Sequence, residues 1–387
     1  MGWWTDFDST EVGADFCRIA AGGFDSVRLF LTWEDFQPDP HIVETRMLSR
    51  LVTVADLALE AGLTIMPTLF TGHMSGVNWV PRWALGGSEL DGRFRVSSGG
   101  KLSSSGLRSW YADDDILKAQ VLMAARAAEV LAGHQAMWAW DLGNENSNCG
   151  IPGDRSEGRR WLHQISNAIR RKDEATMITV GLHMEDLEQD RNLGPAEAAE
   201  VCDFLTMHGY PIYATWADSD TDEHVLPFLA HITRWLGGGS DVLFSEFGVS
   251  TVHSLSPTEP GGGLPRIEEE AAAAYIQRAL KVLHEAGCMG AMTWCYTDYS
   301  EELWGKPPFD EARHERFFGV WRADGSPKPS LGAIKKFSDT RRLASSPDCT
   351  WIDIGPEEFY SEPLVHLQRL YRRYRDPRHL RFNEFGQ

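Results

Sequence analysis

No uninterrupted apolar run in this 387-residue chain approaches the roughly 20 residues that a helix needs to cross a bilayer. Positive charge is scarce: 37 Lys and Arg stand against 56 Asp and Glu, for a formal net charge of −19. A field of that sign repels phosphate backbones and anionic lipid, so neither nucleic acid nor membrane is expected as a partner. Cysteine is sparse too. Cys17, Cys149, Cys202, Cys288, Cys295 and Cys349 are scattered with no CxxC pair, which excludes a zinc ribbon or disulfide framework and suits reduced thiols. The 13 His form neither HxH nor HExxH, so no metal is expected. The opening Met1-Gly-Trp-Trp-Thr-Asp-Phe-Asp lacks a basic segment followed by an apolar one, so no secretory leader is read there and a cytoplasmic location is expected. Internal repeats and low-complexity tracts are absent. Aromatics, in contrast, abound: 15 Trp, 18 Phe and 9 Tyr, with no membrane span for them to anchor. Some of them are expected to face a ligand.

Short β-type runs alternate with longer helix-type runs, the pattern of repeated βα units around a parallel sheet. Seven strands are read: 26–32, 63–70, 136–142, 177–181, 204–208, 242–246 and 290–295. Amphipathic segments at 44–60, 114–132, 156–171, 222–236 and 265–286 carry apolar residues at three-to-four spacing. Seven units are one short of a closed eight-fold barrel. The expected fold is therefore a (β/α)8 TIM barrel with long βα loops, a first strand abbreviated or missing, and a C-terminal helical tail. Residues 1–342 would form the barrel and 343–387 an extension packed on it. Two insertions, 73–113 and 250–264, follow strand ends, where barrel enzymes place active-site loops.

The sharpest chemical signal is Trp140-Asp-Leu-Gly-Asn-Glu-Asn146, an apolar strand ending in a Gly-Asn-Glu turn. Taken alone it also reads as a helix cap. A second carboxylate ends another apolar strand in Phe244-Ser-Glu-Phe-Gly248. In an eight-strand count these are the fourth and seventh strands, so Glu145 and Glu246 converge on one cleft across the barrel mouth. Two carboxyl groups in one pocket are what glycosidic bond cleavage needs: one protonates the leaving oxygen, the other stabilises or attacks the oxocarbenium-like centre. An ion-pair role for Glu246 is the plain alternative.

With these residues in view the chain resembles a retaining glycoside hydrolase of clan A, and within it family 5. The resemblance runs from about Asp6 to Phe337. It implies that Glu145, preceded by Asn144, is the acid/base and Glu246 the nucleophile. It also implies substrate-side roles for Arg28, His73, the His208-Gly-Tyr210 pair and Trp294. Each has a physical reason. Arg28 would keep Glu246 ionised, Asn144 would grip a sugar 2-hydroxyl, and Tyr210 would donate to the nucleophile. His208 would buttress the acid/base or a ring hydroxyl, and Trp294 would offer an apolar platform to a pyranose face. Glu145 must start protonated, so its pKa is expected to be raised by apolar neighbours and by Glu246. No cofactor is needed.

Loop residues Trp33, Asp35, Trp79 and Trp304 would add polar and aromatic walls, although any of these Trp could instead pack under its own loop. Together with Trp351-Ile-Asp-Ile-Gly-Pro-Glu-Glu-Phe-Tyr360, these loops resemble the subfamily 18 branch of family 5. That resemblance implies an exo-acting β-mannosidase on a small oligosaccharide such as mannosyl-β-1,4-N-acetylglucosamine. An endo-acting β-1,4-mannanase or β-glucanase would share the mechanism but need an open groove. A carbohydrate-binding protein that has lost catalysis, and a metal-dependent barrel hydrolase, rank behind. Homo-oligomerisation is left open.

Overall fold

The computed structural model describes residues 2–87, 93–252, 264–343 and 349–376. Seven parallel strands form its centre: β1 (Ser26–Thr32), β2 (Thr64–Thr71), β3 (Ala139–Asn144), β4 (Met177–Gly181), β5 (Leu205–His208), β6 (Val242–Phe247) and β7 (Ala291–Thr293). Strands β1 to β4 pair in order, as do β5 to β7. The two groups join through a parallel bridge between His183 and His208, with Asp203 N–H donating to the Ile178 carbonyl at 2.8 Å. The β3 strand begins three residues later than its apolar run does, because Met137 first bridges to Ile65 of β2.

Helices cover the outside: α1 (Ser9–Ala21), α2 (Thr45–Glu60), α3 (Asp114–Leu131), α4 (Arg155–Arg170), α5 (Val225–Leu236), α6 (Glu269–Glu285) and α7 (Pro329–Lys335). Their starts follow from local chemistry. Asp8, Asp113 and Asp154 each accept backbone N–H bonds from the first turn of the helix they open. Along α2 the residues Met47, Leu48, Leu51, Val54, Ala55 and Ala58 make one buried stripe, the helical period that marks the segment in the sequence.

Among the described residues no strand pairs with the free edge of β1 or of β7. The first strand is missing there, and a cavity of about 580 Å³ occupies the seam, lined by Phe24, Val27, Ser245, Met292 and Trp321 among others. The N-terminal stretch packs nearby without becoming a strand: buried Trp4 donates from Nε1 to the Phe30 carbonyl at 2.7 Å.

At the other end of the chain, α8 (Pro356–Ser361) and α9 (Pro363–Tyr374) lie against α5. Tyr371, Tyr374 and Trp351 gather around Phe228 with ring centroids 5.0 to 5.9 Å away. The aromatic face of the tail therefore covers the side of the barrel. Over the mouth, the 73–113 insertion folds into short strands, including Val77–Trp79, Arg95–Ser98 and Lys101–Ser103. Most of the other insertion, residues 253–263 of 250–264, lies outside the described residues.

Candidate active site

At the carboxyl ends of the strands a cavity of about 300 Å³ is lined by His73, Asn144, Glu145, His208, Tyr210, Glu246 and Trp294, all named from the sequence. Its floor is an ion cluster. Arg28, buried on β1, donates through Nε to Asp141 at 2.9 Å, through Nη2 to Asn144 Oδ1 at 2.9 Å, and through Nη1 to Glu246 Oε1. Asp141 takes further bonds from Thr68 Oγ1 at 2.8 Å and the Gly181 N–H at 2.9 Å, so every charge is answered. Burial alone would lower the guanidinium pKa, but Asp141 and Glu246 more than reverse it and hold it above its usual value. Gly181 keeps this arrangement open. A Cβ there would sit 2.6 Å from the Gly143 carbonyl and 2.9 Å from Arg28 Nη2.

Glu246 receives a second bond from the Tyr210 hydroxyl, 2.9 Å from Oε2. Burial and Glu246 push that phenol well above its normal range, so it stays a donor. Asn144 is fixed at both ends of its amide: Oδ1 accepts from Arg28, and Nδ2 donates to the His73 carbonyl at 2.8 Å. Trp294 edges against Phe30 at 5.5 Å, packs on the Met74, Val77 and Trp79 cluster and is one of the residues lining the cavity.

Glu145 sits differently. Its backbone is left-handed, at φ +48°, a conformation that costs a non-glycine residue about 1–2 kcal/mol and recurs at functional sites. Three imidazoles surround its carboxyl group. His208 Nδ1 is 2.9 Å from Oε1, while His73 Nε2 and His183 Nδ1 each lie 3.9 Å from Oε2. Asn148 donates to Oε2 at 3.1 Å. Here the sequence expectation is corrected. Burial raises the Glu145 pKa, as expected, but His183, His208 and His73 outweigh it and hold the carboxyl well below the usual range. The ring of His73 shows the opposite balance, its pKa lowered by burial against the pull of Glu145 and Asn78.

Carboxylate oxygens of Glu145 and Glu246 approach within 4.8 Å, with His208 Nδ1 close to both. That is the short spacing that suits direct attack by one carboxylate; an inverting pair stands about 6.5–9.5 Å apart to admit a water. The same three groups also form a possible cation site. However, their lone pairs are already engaged by Arg28, Tyr210 and one another, and the Arg28 guanidinium beside Glu246 opposes a second cation.

Four residues assigned to the substrate wall are not at this cavity. Trp33 is fully buried, its ring 5.0 to 6.0 Å from those of Trp110, Trp83 and Phe70 and its Nε1 on Gln37. Asp35 turns back to accept from Thr32 Oγ1. Trp79 is buried with Met74 and Val77, behind Trp294. Trp304 donates to the Tyr299 carbonyl at 3.0 Å and stacks under Arg316. Each of the three tryptophan rings is packed against neighbouring side chains, Trp33 against Phe70, Trp83 and Trp110 and the other two within the loops over the mouth, and so is held away from the cleft.

The actual rim comes from residues that carry no motif in the sequence. On one side Arg93 pairs with Glu185, which also binds buried Arg191 at 2.7 Å, and Phe94 lies 4.4 Å from the His73 ring. On the other, Glu315 accepts from Ser75 at 3.0 Å and Tyr213 at 3.1 Å. Two further residues of the site, His183 and Asp141, were missed although each carried a signal. His183 follows the β4 run by two residues, at the end of a strand. Asp141 is a charged residue inside an apolar strand.

The model of the family described as cellulase (glycosyl hydrolase family 5) matches residues 2–300. No curated protein sequence matches the chain. Among solved structures, a Streptomyces cattleya GH5_18 variant in complex with Manβ1-4GlcNAc superposes with a TM-score of 0.76 at 20% identity, covering 96% of this chain and 86% of that one. The exo-β-1,4-mannosidase of Opitutaceae bacterium strain TAV5 gives 0.70 at 24% identity, covering 87% and 56%. A GH5_18 protein of Bifidobacterium longum subsp. infantis gives 0.70 at 20%, covering 89% and 76%. At these identities the likeness is one of fold.

Proposed function

The chain belongs to glycosyl hydrolase family 5, a retaining family of clan A, and from that premise we propose that it is an exo-acting β-mannosidase. Its substrate in this reading is mannosyl-β-1,4-N-acetylglucosamine or a short β-mannoside. Glu246 attacks the anomeric carbon while Glu145 protonates the departing oxygen. A glycosyl ester on Glu246 results, and water, deprotonated by Glu145, then releases the sugar. Arg28 and Tyr210 orient the nucleophile through separate oxygens, and Asn144, locked by its two bonds, is placed for the sugar's 2-hydroxyl.

The observation that carries the reading is the pair of closely spaced carboxylates in one small cavity. At about 300 Å³ it lies at the small end of ligand pockets, and the Arg93–Glu185 and Ser75–Glu315 contacts stand on its rim. A volume that small suits a chain end. Two of the structural neighbours add support, one described in complex with Manβ1-4GlcNAc and one as an exo-β-1,4-mannosidase.

The test is release of mannose from mannosyl-β-1,4-N-acetylglucosamine by the wild type beside Glu246→Ala, with β-1,4-mannobiose and cellobiose as comparators. Release that exceeds both comparators and vanishes in the variant supports the proposal. Cellobiose cleavage without mannoside cleavage, or cleavage of mannan chains in preference to all three, overturns the substrate assignment.

A further inference from the structure

Four carboxylates line the catalytic cavity, those of Glu145, Glu185, Glu246 and Glu315. Glu246 is held by Arg28 and Tyr210, Glu145 by His208 and Asn148, and Glu185 by Arg93 and Arg191. Glu315 is held by hydroxyls. Ser75 Oγ donates to Oε2 at 3.0 Å and the Tyr213 hydroxyl to Oε1 at 3.1 Å, with His314 Nε2 3.4 Å from Oε1. A carboxylate has about four acceptor sites, so capacity remains for a donor from the cavity. Buried Asp141 shows the opposite case, since Arg28, Thr68, Gly143 and Gly181 together use both of its oxygens. Glu315 is only 8% exposed, so a missing donor is costly there and has to come from what enters the cavity.

The segment that carries Glu315 is braced from several directions. In the short 3₁₀ turn Arg313–Phe317, Ser250 Oγ donates to the His314 carbonyl at 2.6 Å, and the Tyr299 N–H donates to the Arg316 carbonyl at 3.0 Å. Thr251 Oγ1 and buried Lys328 Nζ both donate to the Phe317 carbonyl at 3.1 Å. Its place relative to the two catalytic glutamates is set as well. On the Glu145 side the wall runs through His183, Arg191 and Glu185 in successive contacts of 3.9, 3.4 and 2.7 Å. On the other side burial raises the Tyr210 phenol and the Cys295 thiol, and the charges of Glu315 and Glu246 add to that rise at both. Glu315 therefore stands on the nucleophile's side of the cavity.

A sugar whose anomeric carbon lies between Glu145 and Glu246 turns its leaving group toward Glu145, which protonates the departing oxygen. Carbon 4, across the ring from the anomeric carbon, then faces away from that side. We propose that Glu315 accepts the 4-hydroxyl of this sugar and thereby selects a chain end. In a β-1,4-linked chain the 4-hydroxyl is free only on the terminal sugar. An inner sugar carries an ether oxygen there, which cannot donate, so the buried carboxylate would lose its bond and the longer chain would be rejected. Exo action then has a chemical cause besides the small volume of the cavity, and the inference rests on that exo-acting reading.

The test compares kcat/KM on 2,4-dinitrophenyl β-glycosides, whose leaving group needs no proton, so that Glu145 drops out of the comparison. A mannoside, a glucoside and a galactoside first show which sugar the wild type cleaves; a failed mannoside assignment changes the series and leaves the comparison intact. The parent glycoside and its 4-deoxy and 6-deoxy analogues are then run on wild type, Glu315→Ala and Glu315→Gln, with thermal unfolding to verify the fold. Intrinsic differences in reactivity cancel, because every enzyme meets the same substrates. We expect the wild type to lose about 10- to 100-fold on the 4-deoxy sugar, and Glu315→Ala to separate parent and 4-deoxy sugar by about threefold or less. A 4-deoxy penalty that is the same in variant and wild type would mean that Glu315 does not touch this hydroxyl. A penalty that collapses for the 6-deoxy sugar instead would assign it another hydroxyl, and either result overturns the proposal. Should Glu315→Ala fail to fold, Glu315→Gln decides: the 4-deoxy penalty must shrink there, and an unchanged penalty overturns the proposal.

Discussion

The two carboxylates of the cleft are held by opposite means. Glu246 lies within strand β6, and each of its oxygens has one permanent donor, a guanidinium that stays charged and a phenol that stays protonated. Glu145 sits just past a strand end in a left-handed turn, ringed by the imidazoles of His73, His183 and His208. One environment fixes a charge and the other lets a proton come and go. That division is what a retaining glycosidase asks of its two glutamates.

Substitutions should expose the asymmetry in order of severity. Glu246→Ala removes the nucleophile, and kcat/KM should fall by about 10⁴-fold or more on every glycoside, whatever its leaving group. Glu145→Ala should cost about 10²–10⁴-fold on a disaccharide but far less on a dinitrophenyl glycoside, measured as the ratio of kcat/KM between the two. Equal losses on both substrates would erase the distinction between the carboxylates. Tyr210→Phe deletes one charge-assisted bond to Glu246, so a drop of about 10- to 100-fold in kcat/KM is expected. Smallest of all, Trp304→Phe should leave KM for the disaccharide within about twofold, because that ring packs inside its own loop.

The same contrast governs what the amino-acid sequence reveals by itself. Residues whose place is set by a strand are legible: Arg28 on β1, the Asn144-Glu145 step and Glu246 meet because parallel strands deliver their ends to one rim. The missing strand is legible by count, for seven apolar runs fill seven places and leave the seam between β7 and β1. Residues set by loops are not. Trp33, Trp79 and Trp304 look like sugar platforms in a sequence, yet packing against other side chains, for Trp33 those of Phe70, Trp83 and Trp110, decides each of them. The rim pairs Arg93–Glu185 and Ser75–Glu315 join positions 92 and 240 residues apart, and nothing in either local segment announces the other. The sense of the Glu145 shift is hidden for a related reason. Burial and Glu246 are visible from strand positions, whereas the combined effect of His73, His183 and His208 depends on three separate strand ends closing on one oxygen pair.

The central claim, that Glu246 is the group that bonds to the sugar and Glu145 the group that handles the proton, is tested most directly by trapping. A 2-deoxy-2-fluoro β-mannosyl fluoride slows both half-reactions and favours accumulation of the glycosyl ester, which peptide mass spectrometry can locate. One sugar per chain, carried on the peptide containing Glu246 and absent in Glu246→Ala, is the predicted result. A label on Glu145 would contradict the account.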